Sequence, residues 1–280
     1  MKRERSIKSD FTVHRALTGV ALVLAVALMH FTPPVGAQQD PVSVGPADPA
    51  LIEDLIAANR ILYQQGIVDG FGHVSVRHDQ NPNRFLMSRS LAPELVTADD
   101  LIEYDLDGVG VNLGGRGQYS ERFIHAEIYR ARPDVHAVVH NHSPGIVPFT
   151  VSPVPLRPVY HMAAFIGEGI PLFDLRDAAG ITEMLVNNPD RGRALAKVLG
   201  DRPAVLIRGH GVAVVGRSLP FAVGRSVYLE LNARVQAQAI ALGGSVTYLD
   251  PREAQAVLDA GENRRYERPW EMWKRQAMKQ

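Results

Sequence analysis

The chain of 280 residues contains no cysteine. Disulfides, a thiolate nucleophile and any cysteine-ligated metal are therefore excluded. A metal site in this chain must be built from nitrogen and oxygen donors, which suit zinc, manganese, iron(II), cobalt or nickel. Excess charge is also lacking, because 30 Lys and Arg stand against 30 Asp and Glu. A balanced chain gives no reason to expect nucleic acid or an anionic membrane surface as partner. No internal repeat is visible, which argues against a solenoid. The apolar fraction of 46% is ordinary for a globular protein and is enough for one substantial core.

The first forty residues differ from the rest. Lys2, Arg3, Arg5 and Lys8 form a basic start, residues 16–31 an apolar stretch, and Val35-Gly36-Ala37 a small-residue cleavage pattern before Gln38. Together they predict a secretory signal peptide over residues 1–37. The leader has no twin arginine, so the general secretory route to a bacterial periplasm is expected. After cleavage no stable membrane association is expected; the alternative is an uncleaved N-terminal membrane anchor. Residues 38–50, rich in Pro, Ala and Gly, are expected to form a flexible lead-in.

The rest reads as one α/β domain over residues 51–250 with a tail over 251–280. Residues 51–65 carry apolar positions at helical spacing, with Gly66 as the stop. Residues 73–77 alternate as a strand, and residues 84–87 answer it across Asn81-Pro82-Asn83. A second hairpin is expected from residues 101–104 and 109–112 around Asp107-Gly108. Residues 121–131 read as a helix with Ser120 as its N-cap, followed by a strand at 135–139. A helix is expected over 181–199, strands at 204–207 and 212–215, and a long helix over 219–242. Such hairpins predict a mixed, largely antiparallel sheet with helices on both faces. Trp270 and Trp273 predict that the tail docks, on the domain or on a neighbouring subunit.

Three histidines carry the chemistry. His140 and His142 lie two residues apart after an apolar run, so on a strand they share one face. His210 sits between two glycines after a second apolar run. Three imidazoles can hold a divalent metal and leave a position open. Glu121 is the candidate for that position or for a base beside it. His125, four residues after Glu121, is either a support for the site or a surface residue. His136 is expected to share the strand face as packing.

These residues fall in motifs that resemble the class II aldolase/adducin family. The matching pieces are Gly72-His73-Val74-Ser75-Val76-Arg77, Ser120-Glu121, Arg132-Pro133-Asp134, Val138-Val139-His140-Asn141-His142 and Gly209-His210-Gly211. They run in family order across residues 51–244. The resemblance implies a three-layer α/β/α sandwich and one divalent metal ion on His140, His142 and His210. Zinc is the first expectation, with Mn2+, Fe2+ or Co2+ as alternatives. It also implies Glu121 as acid/base and resting fourth ligand, and a homotetramer with sites at subunit interfaces.

Departures from the family pattern bear on the substrate. His73 replaces the asparagine that binds phosphate in the sugar-phosphate aldolases. Ser88-Arg89-Ser90-Leu91 replaces a Thr-Gly pair, and Tyr119 replaces one of two serines, leaving Ser120. Bulky groups obstruct a phosphate cradle, which needs close approach of backbone N–H groups. An unphosphorylated small-molecule carboxylate is therefore expected, contacted by His73, Ser88, Arg89 and Ser120, with Arg89 pairing its two oxygens. His161 aligns, by spacing from His140, with the tyrosine that protonates the aldol leaving group, and Tyr160 takes that place if the register slips by one. Residues 161–165 and the tryptophan tail are more similar to the decarboxylase branch. The expected activity is carbon–carbon bond cleavage through a metal-stabilised enolate, by decarboxylation or retro-aldol cleavage. An iron(II) oxygenase on the same histidines and a non-enzymatic adducin-like interaction module are the alternatives.

Overall fold

The computed structural model describes residues 41–261 and 266–279. The leader expected over residues 1–37 lies outside them. Seven strands form one sheet: β1 (His73–Arg77), β2 (Arg84–Ser88), β3 (Leu101–Asp105), β4 (Ala137–Asn141), β5 (Leu172–Phe173), β6 (Ala204–Ile207) and β7 (Gly211–Gly216). Their order is β3-β2-β1-β4-β7-β6-β5. Every neighbouring pair is antiparallel except β5 with β6. The helices are α1 (Pro49–Gln64), α2 (Arg122–Ala131), α3 (Val147–Val151), α4 (Leu175–Ala179), α5 (Pro189–Leu199), α6 (Leu219–Ala241), α7 (Pro251–Asp259) and α8 (Glu267–Ala277).

Alternation along the strands distributes the helices. Val138 and Val215 join Ile124 and Ile128 of α2 and Leu195 and Leu199 of α5 on one face. Val74, Val139 and Ala137 meet α1, α6 and α8 on the other. The result is a three-layer α/β/α sandwich about a mixed, largely antiparallel sheet. Because Val138 faces α2, the two-residue period puts His140 on that face too. Likewise His73, Ser75 and Arg77 of β1 face α2, while Val74 and Val76 face away.

Several boundaries differ from expectation, each for a local reason. The return strand at residues 109–112 is reduced to a single bridge between Tyr104 and Gly110. There the Asp105 carboxylate accepts from the N–H groups of Asp107 and Val109, both at 2.9 Å, and holds a tight turn instead. Helix α2 starts at Arg122 with Glu121 at the cap position, so Ser120 is not the N-cap. The strand expected at 135–139 runs from Ala137 to Asn141, leaving His136 exposed before it and off the site. The helix expected over 181–199 begins only at Pro189, because the Asn188 side chain accepts from the Arg191 N–H at 3.0 Å and caps it there. In the described part of the lead-in, Ser43 Oγ donates to Glu103 of β3 at 2.6 Å. The tail contains α7 and α8, and Trp270 and Trp273 of α8 are buried against α1 and α6 of the same chain.

Candidate metal centre

Four groups converge at one end of the central strands β4 and β7, beside the start of α2. His140 is the penultimate residue of β4, His142 lies just past the strand's end, and His210 occupies the turn between β6 and β7. Glu121 caps α2. Their donor atoms all lie within 4.8 Å of one another. The three Nε2 atoms stand 2.9–3.2 Å apart. Glu121 Oε2 is 3.5 Å from Nε2 of both His140 and His210.

The backbone determines which nitrogens face inward. His140 Nδ1 donates to the Val212 carbonyl at 3.1 Å, and His210 Nδ1 donates to the Met184 carbonyl at 2.9 Å. With the ring hydrogen on Nδ1, a neutral imidazole presents a bare lone pair at Nε2. Close Nε2 pairs without a hydrogen between them repel unless a cation sits among them. Three nitrogens at about 2.0–2.1 Å from one zinc ion would stand roughly 3.3 Å apart in a tetrahedron, close to the spacing here. The donor set therefore fits a divalent metal, and the carbonyls that hold the rings supply the outer support such ligands use.

Glu121 is oriented as firmly. Its Oε1 accepts from the Val186 N–H at 2.9 Å, which turns Oε2 toward the histidines. Burial alone would raise its pKa, but hydrogen bonds and charge from His140 and His210 outweigh that and hold the carboxyl well below the usual range. His142 is pushed down to about 4, first by burial and then by the neighbouring His140 and His210. Both groups are in their metal-binding forms at neutral pH.

Glu121, His142 and His210 of the cluster line a cleft of about 420 Å³, together with His73, Tyr119, Ser120 and Leu91, while His140 lies buried behind them. Tyr119 is held against the loop after β2. Its hydroxyl donates to the Leu91 carbonyl and lies 3.4 Å from both the Leu91 nitrogen and Ser88 Oγ. Ser88 is fully buried beneath it and does not line the cleft. Arg89 lies outside the lining, and its Nε donates to Asp100 at 2.6 Å. His161 is exposed at the start of a 3₁₀ turn, edge-on to Tyr160 and outside the lining. The sequence reading overlooked Met184 and Val186, whose backbone atoms orient His210 and Glu121. It also overlooked the exposed Phe71 at the mouth of the cleft. Main-chain roles and rim aromatics carry no residue-type signal.

The fold and this site define a class: an α/β/α sandwich with three histidines and one glutamate converging beside a cleft. Residues 53–237 match the Class II Aldolase and Adducin N-terminal domain, and the chain belongs to that family. It is 34% identical to decarboxylase tropJ of Talaromyces stipitatus over 248 residues, covering 80% of this chain and 93% of that one. It is 30% identical to the 3,4-dihydroxyphthalate decarboxylase of Arthrobacter keyseri over 224 residues, covering 75% and 86%. Among solved structures, L-fuculose 1-phosphate aldolase from Glaciozyma antarctica PI12 superposes with a TM-score of 0.66 at 25% identity, covering 83% of this chain and 93% of that one.

Proposed function

We propose that the protein is a metal-dependent decarboxylase of small, unphosphorylated hydroxy or oxo carboxylic acids, with dihydroxy aromatic acids as the first class to test. The observation that carries this reading is the joining of two features in one cleft. Glu121, His142 and His210 of a complete three-histidine, one-glutamate cluster line the cleft, and the bulky Tyr119 and Leu91 line it too, where a phosphate cradle would call for small residues. The relatives named decarboxylases, matched over most of their own length, support the same branch.

His140, His142 and His210 would hold the ion, with Glu121 as the fourth group. When bound, a divalent ion supplies positive charge that stabilises the electron pair left as a carbon–carbon bond breaks. The chain's own residues do the rest. Glu121 Oε2, anchored through Val186, lies beside the open side of the cluster and can hold or return a proton there. Ser120 and His73 line the cleft beside it as polar contacts for substrate oxygens. Zinc as the native metal, a homotetramer, and export through removal of residues 1–37 belong to the same proposal.

Carbon dioxide release from a panel that includes 3,4-dihydroxyphthalate, assayed with zinc-, manganese- and iron-loaded protein, tests the reading. Glu121→Gln is expected to lower turnover about 10²–10⁴-fold, with the fold retained by circular dichroism. Release that needs oxygen and consumes it would replace this reading with an oxygenase. No turnover of any carboxylate with any metal would sink it.

A further inference from the structure

Helix α2 and strand β1 run past each other with matched repeats. Four helical residues advance about 6 Å and two strand residues about 6.7 Å. Side chains at 121, 125 and 129 on α2 therefore fall in step with those at 73, 75 and 77 on β1. Their polar groups join into one line. His73 Nδ1 lies 2.7 Å from His125 Nε2. His125 Nδ1 lies 2.6 Å from Ser75 Oγ, which is 2.8 Å from the Tyr129 hydroxyl. The Arg77 guanidinium sits over the Tyr129 ring, 4.7 Å from its centre. All five side chains are buried. Only His73 borders the cleft; with Nδ1 turned inward, Nε2 is its cleft-side nitrogen. Nothing in the reaction proposed above uses His125, Ser75 or Tyr129.

A line of neutral donors and acceptors has two self-consistent hydrogen arrangements. In the first, the Tyr129 hydroxyl donates to Ser75, Ser75 to His125 Nδ1, and His125 Nε2–H to His73 Nδ1. His73 then carries its own hydrogen on Nε2, toward the cleft. In the second, every hydrogen is reversed and His73 shows the cleft a lone pair. That arrangement requires Tyr129 to donate elsewhere, and the acceptor on offer is the His136 carbonyl at 3.5 Å. An O–H···O bond prefers about 2.7–2.8 Å, so the second arrangement loses a buried hydrogen bond that the first keeps.

We infer that His125, Ser75 and Tyr129 are positioning residues that lock His73 in the tautomer with hydrogen on Nε2. The cleft wall thereby presents a neutral N–H donor to an anionic oxygen of the substrate. The inference deepens the decarboxylase reading and rests on it only for what occupies the cleft. His73 is the right neighbour for such a role, with its ring centre 5.1 Å from that of His140. A cation there would oppose a bound metal, and a lone pair would repel a carboxylate. Burial favours the neutral form of both rings, His73 being 4% and His125 0% exposed. It also raises the Tyr129 hydroxyl, which therefore keeps the hydrogen that starts the line.

Nitrogen-15 NMR of the zinc-loaded full chain, labelled in histidine, reads which ring nitrogen carries each hydrogen at neutral pH. Assignment uses His73→Gln and His125→Gln. The expected result is hydrogen on Nε2 of both residues, with Nδ1 bare. Hydrogen on Nδ1 of His73, or on both of its nitrogens, overturns the inference. Tyr129→Phe removes the hydrogen that polarises the line, so both tautomers of His73 should appear while the ring volume is kept. If that variant does not fold, Ser75→Ala breaks the line one step nearer and should give the same mixture. A single unchanged tautomer in a folded variant would overturn the role given to the line. The readout needs no turnover, so failure of the carbon dioxide assay would leave this result standing.

Discussion

His125 has no solvent exposure, and its protonated form is disfavoured first by burial and then by His140, so its pKa falls to about 3. An unfolded histidine titrates near 6.5. Above that value both states are neutral and the group contributes nothing to the pH dependence. Between 6.5 and 3 the unfolded chain takes up a proton that the folded chain refuses, so stability falls as pH falls, by up to about 1.4 kcal/mol per unit for each such histidine. His73 and His142 shift in the same direction and add to the slope. Urea unfolding of chelated protein from pH 7 to 4.5 should show this decline, and His125→Gln should flatten it by about one proton's worth. A flat profile would mean that these rings are protonated in the fold. At this scale the sequence revealed the four converging groups, because ligands must share a face and two-residue spacing declares one. It left His125 open and gave no sign of the bond between Arg89 and Asp100. Whether a helical histidine is buried, and whether an arginine already has an acid such as Asp100 beside it, depends on chain that folds back from elsewhere.

Elements position these residues through close backbone contact. Strand β7 begins at Gly211, where an added Cβ would stand 2.1 Å from the Asn141 carbonyl oxygen, between His140 and His142. The preceding Gly209 has φ +61°, the left-handed conformation that glycine tolerates. Together they let the β6–β7 turn bring His210 against the end of β4. Gly211→Ala should therefore push β7 from β4 and separate His210 from His142, with loss of metal affinity before loss of fold. Zinc titration beside circular dichroism would check it, and unchanged zinc affinity would contradict the contact argument. Strands and long helices were legible because their apolar periods of 2 and 3.6 are written in sequence. Element ends were less so. Asn188 starts α5 eight residues after the apolar pattern does, and Glu121 occupies a cap position while facing the histidines instead of capping α2. The irregular stretch that α5 leaves behind is what supplies Met184 and Val186 to the site.

At the scale of the whole molecule, the centre ties together parts of the chain that are otherwise distant. Glu121 comes from α2, His140 and His142 from the end of β4, and His210 from the β6–β7 turn, which Met184 links to the stretch before α5. An ion binding all of them binds the folded state and not the separated pieces, so its affinity adds to folding stability. At free metal about 1,000 times the dissociation constant, the gain is roughly 4 kcal/mol. For a domain of this size each kcal/mol moves the melting temperature by about 2–4 °C, so stripping the metal should lower it by roughly 8–16 °C. His140→Ala should melt near the stripped protein and respond little to chelator, because two histidines and a carboxylate no longer close the site. Scanning calorimetry of both proteins with and without chelator makes the comparison. If chelation leaves wild-type melting unchanged while metal analysis shows that an ion was removed, the ion is held at the surface and not by these four groups.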